Sequence, residues 1–334
     1  CSNGFRKISK RMGAENNFME YAQIVFYQLV IFVIYGAIGV AAVKGGILDE
    51  AGLHAVSRVV IKVTLPVMLF TNTVSGVTRE SLLESLPVTG ATAVMYLLLA
   101  LLCWGMSRAF GLRGDKASVF MASTMFGNVG FIGIPIIAML FPERGMLYIA
   151  AFTIVDQLLM WTLGITLLTP AEKRGSVAPA QNLRRLVNAA TIAIVLAVIV
   201  VMIGLPVPGV LMEALTKVGS ITSPLALIYL GGVFCFMDIG QSLRQKEFYA
   251  AAVIKMLVFP VLFFLLMQAS GLLDTEMAMT MTILSAMPTM TSISMLAKSN
   301  GCCGEYSISC IFVTTIACII TLPVVCMAVS ALAA

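Results

Sequence analysis

The stretch Met125–Ile137, MFGNVGFIGIPII, holds three glycines, an asparagine and a proline inside a run, Ala117–Pro142, that contains no Asp, Glu, Lys or Arg. An uncharged run of that length reads as a membrane-spanning helix, for which about 20 mostly apolar residues suffice. A helix in lipid must satisfy its backbone N–H and C=O groups internally, and glycine and proline work against that. Unwound backbone at membrane depth is tolerated only where it is buried in protein or lines a cavity. The stretch therefore predicts a broken helix, with its break shielded from lipid.

The rest of the chain agrees with a membrane setting. Of 334 residues, 60% are hydrophobic and 11% charged, against roughly 25% charged in a soluble domain. The mean hydropathy is +1.00. Charge-free runs recur at Tyr21–Val43, Ser85–Ser107, Ala117–Pro142, Leu186–Met212, Val218–Met237, Met277–Ala297 and Tyr306–Ala334. Arg58–Gly76 has charge only at its start, Gly145–Thr169 carries Asp156, and Phe248–Gly271 carries Lys255. The expected fold is an all-α polytopic membrane protein of ten transmembrane helices. An N-terminal tail (1–18) precedes a first five-helix repeat (19–169), a polar linker (170–183, PAEKRGSVAPAQNL) and a second five-helix repeat (184–334). Five spans per half, an odd number, make the halves run in opposite directions through the bilayer, which is the arithmetic of an inverted repeat.

Proline positions support the repeat. Thr64-Leu65-Pro66 in the second span matches Thr222-Ser223-Pro224 in the seventh; Pro135 in the fourth matches Pro288 in the ninth; Pro170 after the fifth matches Pro323 in the tenth. The interval from Pro135 to Pro170 is 35 residues, as is that from Pro288 to Pro323.

Charge gives orientation and little else. The net charge of +5 comes from Lys and Arg in short connections: thirteen follow the odd-numbered spans and seven lie on the other side, four of them in the tail. The richer side is expected to be cytoplasmic, which puts both termini outside a plasma (bacterial inner) membrane. Eight cysteines without a CxxC pair read as packing residues, with no support for a disulfide framework or a zinc site. The single histidine, His54, reads as interfacial, and so does Asp238.

Proline lacks an N–H and clashes with the carbonyl four residues earlier, so Pro135 is expected to free the carbonyl of Phe131, and Pro288 that of Leu284. Each break is expected to leave a half-helix whose N-terminal N–H groups and partial positive charge suit a carboxylate. The expected substrate-binding residues are Asn128, Gly127, Gly130, Gly133 and Pro135 at the first break, and Pro288, Thr289, Thr291 and Ser292 at the second. Small residues spaced along a membrane helix also serve close packing alone, and hydroxyls also bond back to their own helix. Intramembrane ionisable residues are functional candidates. Asp156 is the ion-coupling candidate, for H+ or Na+. Lys255 is expected to snorkel to the cytoplasmic surface, with an Asp156–Lys255 ion pair as another possibility. Asn72 lies near the site or at the outer end of its helix.

With GNVGFIGIP (127–135), VTLPVMLF (63–70), WTLG (161–164), TSPLALIYLGG (222–232), AMPT (286–289) and TTIACIITLPV (314–324), the chain resembles the auxin efflux carrier family of membrane transporters. That family includes plant auxin exporters and bacterial permeases for malate and related acids. Asn188-Ala189 departs from the Asn-Pro that relatives often carry there. The resemblance implies crossed, broken fourth and ninth helices, an elevator mechanism and a homodimer. The first, second, sixth and seventh helices would form the scaffold, and the others the moving domain. The residues that carry over by motif are Asn128, Pro135 and Pro288.

The function expected is a secondary transporter for a small organic anion, a carboxylate such as malate or a related acid. No cofactor is expected, and no ATP-binding loop is visible. Alternatives are a sodium-coupled symporter of the bile-acid type and a transporter-like receptor. A membrane enzyme lacks its chemistry, because the chain offers one histidine and one deep carboxylate.

Overall fold

The computed structural model describes residues 23, 25–76, 78–84, 86–142, 144–174 and 189–333. The expected tail, 1–18, lies outside them, as do residues 175–188, which hold most of the expected linker and the start of the sixth span. The described residues are helical, with no β-strand among them. Twelve principal helices follow in order: α1 (Val25–Lys44), α2 (Glu50–Ser75), α3 (Leu86–Ala109), α4 (Gly114–Met125), α5 (Val129–Leu140), α6 (Gly145–Leu167), α7 (Ala189–Ile203), α8 (Gly209–Phe234), α9 (Lys246–Ser270), α10 (Thr275–Ser285), α11 (Thr291–Asn300) and α12 (Gly304–Ala333). Seven of them, α1, α2, α3, α6, α8, α9 and α12, are long and apolar enough to cross a membrane. Ile192, Leu196, Ile199 and Ile203 on α7 are exposed, a face that suits lipid and not water.

The ends are set by local chemistry. The Asp49 carboxylate caps α2 by accepting from Gly52 N–H at 2.7 Å, and Asp274 caps α10 by accepting from Met277 N–H at 2.7 Å. α9 and α11 stop at Gly271 and Gly301, both left-handed at φ +63 and +69. Two expected boundaries are corrected. The run Leu186–Met212 is not one span, because Gly204 turns the chain at φ +71 and Pro206 and Pro208 follow. α8 then starts at Gly209, well before the charge-free run at Val218, since Glu213 and Lys217 pair at 2.6 Å on its exposed face.

Two sets of helices result. α2 packs on α7 and α8. α1 joins α8 through glycine: a Cβ on Gly231 would collide with the Gly36 carbonyl, and one on Gly39 with the Ile228 carbonyl. In the other set, α3 packs on α4, α6 and α10, while α12 packs on α4, α9 and α11. The sets meet where α2 touches α6 and where α5 touches α8, around Met68, Phe131, Trp161 and Ile194.

Four wide π-helical turns interrupt the helices at Val60–Thr64, Val129–Gly133, Met160–Gly164 and Ile254–Val258. Three of them end two residues before a proline: Pro66, Pro135 and Pro260. The carbonyl that each proline would crowd, four residues back, falls inside the wide turn (Lys62, Phe131 and Met256). The extra residue per turn makes room for the ring.

Candidate functional site

The two interrupted helices meet in the core. α4 ends at Met125 and α10 at Ser285; α5 and α11 begin a few residues later. Between them the two linking segments run antiparallel and bond to each other. Asn128 N–H donates to the Pro288 carbonyl at 2.7 Å, and Met290 N–H donates to the Phe126 carbonyl at 3.0 Å. Gly127 and Thr289 form the antiparallel bridge between these bonds. Backbone groups that lose their helical partners thus find partners in each other, which membrane burial demands. Gly127 is required for the approach, because a Cβ there would lie 2.9 Å from Met287 Cβ.

The two breaks are not alike, which corrects the expectation that each proline makes its own. Pro288 sits in the unwound link. Pro135 sits inside α5, seven residues after Asn128, where the wide turn Val129–Gly133 absorbs it and the helix continues. The first link lies at Phe126–Asn128, with Phe126 extended at φ −90, ψ 117 and Asn128 non-helical at φ −78, ψ 57.

Polar side chains gather at the crossing. Asn128 is fully buried and its Nδ2 donates to Thr291 Oγ1 at 3.0 Å. Among the described residues its Oδ1 is buried without a partner, and so are Ser123 Oγ, Thr124 Oγ1 and Ser292 Oγ. Buried polar atoms in folded proteins are nearly always bonded, so a cluster of orphans calls for an explanation. Thr289 N–H donates to Thr314 Oγ1 at 3.2 Å, and the Thr289 hydroxyl lies 3.5 Å from Cys310 Sγ. Gly133 faces Leu284 and Val129 and serves close packing.

Beside the crossing lies a cavity of about 380 Å³, bounded by α1, α2, α5 and the first half of α8. Gly130, Ile134 and Pro135 form its wall on the α5 side. Asn128 and the hydroxyls of the second break do not line it. The opposite walls mix apolar side chains such as Ile31, Phe32 and Met68 with uncharged polar ones: Gln28, Tyr35, Thr71, Asn72, Thr216, Ser220 and Ser223. Asn72 is the one of these that the sequence had singled out. Gln28 and Tyr35, seven residues apart in an apolar helix, were the available signal for α1.

Asp156, on α6, is buried and bonded to two donors. The Tyr96 hydroxyl donates to Oδ1 and Gln157 Nε2 donates to Oδ2 at 2.8 Å; Trp161 Nε1 donates to Gln157 Oε1 at 3.0 Å. Lys255 contradicts the snorkelling expectation. It is 3% exposed and its ammonium donates to the Met287 carbonyl, next to the break proline. The physical reason is that Met287 lies in the unwound link, so its carbonyl accepts where a helical one would be occupied. Among the described residues Asp156 and Lys255 form no ion pair. In folded protein, an amine reagent that does not cross the bilayer is expected to modify Lys217, whose side chain is 75% exposed, and to spare Lys255 until the protein is unfolded. Modification of Lys255 in the folded state would refute its burial. Among the described residues no group of three or more His, Cys, Asp or Glu is placed to hold a metal ion.

Comparison with known proteins completes the description. A family model described as membrane transport protein matches residues 24–326. An uncharacterized transporter of Methanothermobacter thermautotrophicus is 26% identical over 291 residues, covering 83% of this chain and 89% of its own. An uncharacterized transporter of Methanocaldococcus jannaschii is 25% identical over 119 residues, covering 35% of this chain and 39% of its own.

Proposed function

This chain belongs to the membrane transport protein family, and from that premise we propose that it is a secondary transporter that carries a small organic anion across the plasma membrane. The observation that carries the proposal is the buried crossing of two interrupted helices, where the Asn128 amide and the Ser292 hydroxyl are buried, beside a cavity that carries uncharged polar side chains. The N-termini of α5 and α11 both open at the crossing. Their N–H groups supply positive potential without an ionised side chain, which suits a carboxylate such as malate or a related acid. A cavity of about 380 Å³ falls in the range of small-molecule sites.

The helix order supports an inverted repeat of ten spans. The second half, α7–α12, repeats the first: two helices, a third, an interrupted pair and a final long helix. The division into α1, α2, α7, α8 and the remaining eight helices supports an elevator, the first set as scaffold and the second as the moving body. The Lys and Arg bias supports an orientation with the connections after the odd-numbered spans in the cytoplasm and the termini outside. The exposed face of α7, on the scaffold, suits a homodimer contact.

The test is a thermal-shift screen of organic acids on the purified protein, followed by uptake into liposomes of the acid that stabilises most. Saturable uptake that needs protein is expected. A stabilising acid without flux would make the protein a receptor, and no stabilisation by any acid would overturn the anion reading.

A further inference from the structure

Among the described residues, the buried Asp156 carboxyl has no counter-charge. It is 1% exposed and its two bonds come from neutral donors, the Tyr96 hydroxyl and the Gln157 amide. A carboxylate taken out of water needs neutralising, by a proton or by a cation. The geometry distinguishes the two. Indole Nε1 can only donate, so the 3.0 Å bond from Trp161 obliges Gln157 to turn its oxygen toward Trp161. The NH2 of Gln157 therefore faces Asp156 Oδ2. A hard metal cation wants a shell of oxygens. Here one carboxylate oxygen is faced by N–H, and the hydroxyl on the other belongs to a ring packed between Phe126 and Phe152, with centroids at 5.5 and 6.1 Å. A proton needs a single oxygen atom and no shell.

We propose that Asp156 is the proton-binding site of the transport cycle and does not take sodium, a proposal that rests on the transporter reading above. The proton adds to Oδ1. Asp156 O–H then donates to the Tyr96 oxygen, the Tyr96 hydrogen rotates off the carboxyl, and the cluster changes from one negative charge to none. Both ends of the network reach moving parts. The Tyr96 ring touches Phe126, whose carbonyl holds Met290 in the crossing. Trp161 belongs to the apolar cluster with Met68, Phe131 and Ile194, where the two helix sets meet.

Among the described residues no ionisable group other than Tyr96 shares the site. From α3 the facing group is Tyr96. α5 and α7 carry no charged residue, and the charges of α4 and α10 are Asp115, Lys116 and Glu276 in their first turns. α2 meets α6 through Leu65–Gly76, beyond Glu50, His54, Arg58 and Lys62. The short helix Arg79–Glu84 also touches α6, and its Arg79, Glu80 and Glu84 are exposed.

The full-length protein in liposomes is treated with dicyclohexylcarbodiimide, which adds to protonated carboxyls in apolar surroundings, and the adduct is located by mass spectrometry. Asp156 is expected to be modified, with a rate that falls about tenfold per pH unit above the midpoint and is the same in sodium and in choline media. Asp156→Asn should remove the adduct, and Tyr96→Phe should keep it and move the midpoint. Protection by sodium at constant pH would overturn the proposal, as would labelling that ignores pH. The measurement needs no cargo, so its failure leaves the anion reading standing. A normal titration in a protein that moves no acid would instead count against transport.

Discussion

Asn128→Ala is expected to weaken cargo affinity and leave the fold in place. The side chain makes one neutral bond, to Thr291, and buries an unpartnered oxygen, Oδ1. Deleting both removes a stabilising contact and a penalty together, so the melting temperature should move little. Binding is different, because a cargo carboxylate that takes the Nδ2 donor from Thr291, or a cargo hydroxyl that donates to Oδ1, loses its partner inside a dry site. One such loss is worth roughly 1–3 kcal/mol, which weakens binding by about fivefold to about 150-fold. The measurement is the thermal shift and Kd of wild type and variant with the acid that stabilises wild type most. Equal affinity in a variant of equal melting temperature would exclude Asn128 from the site.

Gly231→Ala is expected to be severely destabilising, and Gly36→Ala nearly neutral, although the two glycines touch. A Cβ on Gly231 would run into the Gly36 carbonyl, which is backbone and cannot step aside, whereas a Cβ on Gly36 meets nothing within 4 Å. One methyl group therefore forces α1 and α8 apart in one variant and points into open space in the other. Overpacking typically costs 1–3 kcal/mol, and more when backbone must move. In a membrane there is little hydrophobic force to push the helices back together. Melting temperature and monodispersity in detergent would read the difference. Equal tolerance of both variants would mean that α1 and α8 do not pack through these glycines.

Much of the fold was legible because lipid imposes a simple rule on composition. Charge-free runs located most of the helices, and Gly127, Gly130 and Pro135 marked an interruption. What misled was the assumption that a helix breaks where its proline is. Pro135 is absorbed by a wider turn, a choice that depends on neighbouring packing and leaves no mark in the sequence. The boundary between α7 and α8 failed for a related reason. Glu213 and Lys217 look like loop residues singly, and only their spacing of four makes them a helical pair. The candidate site was half legible. Asn128 and the hydroxyls of Thr289, Thr291 and Ser292 do lie at one crossing. The cavity beside it draws on α1 and α8, whose polar residues are ordinary taken one at a time. Lys255 was misread because a lysine near the end of an apolar run usually reaches for water, and nothing local announces a free carbonyl 32 residues later.

The reciprocal bonds at the crossing have a mechanical consequence. Asn128 holds Pro288 and Met290 holds Phe126, so each broken helix is closed by the other like a pair of interlocked hooks. Neither half-helix can slide on its own without stripping two backbone hydrogen bonds in a medium that offers no replacement. Any displacement must therefore carry α4, α5, α10 and α11 together as one rigid piece.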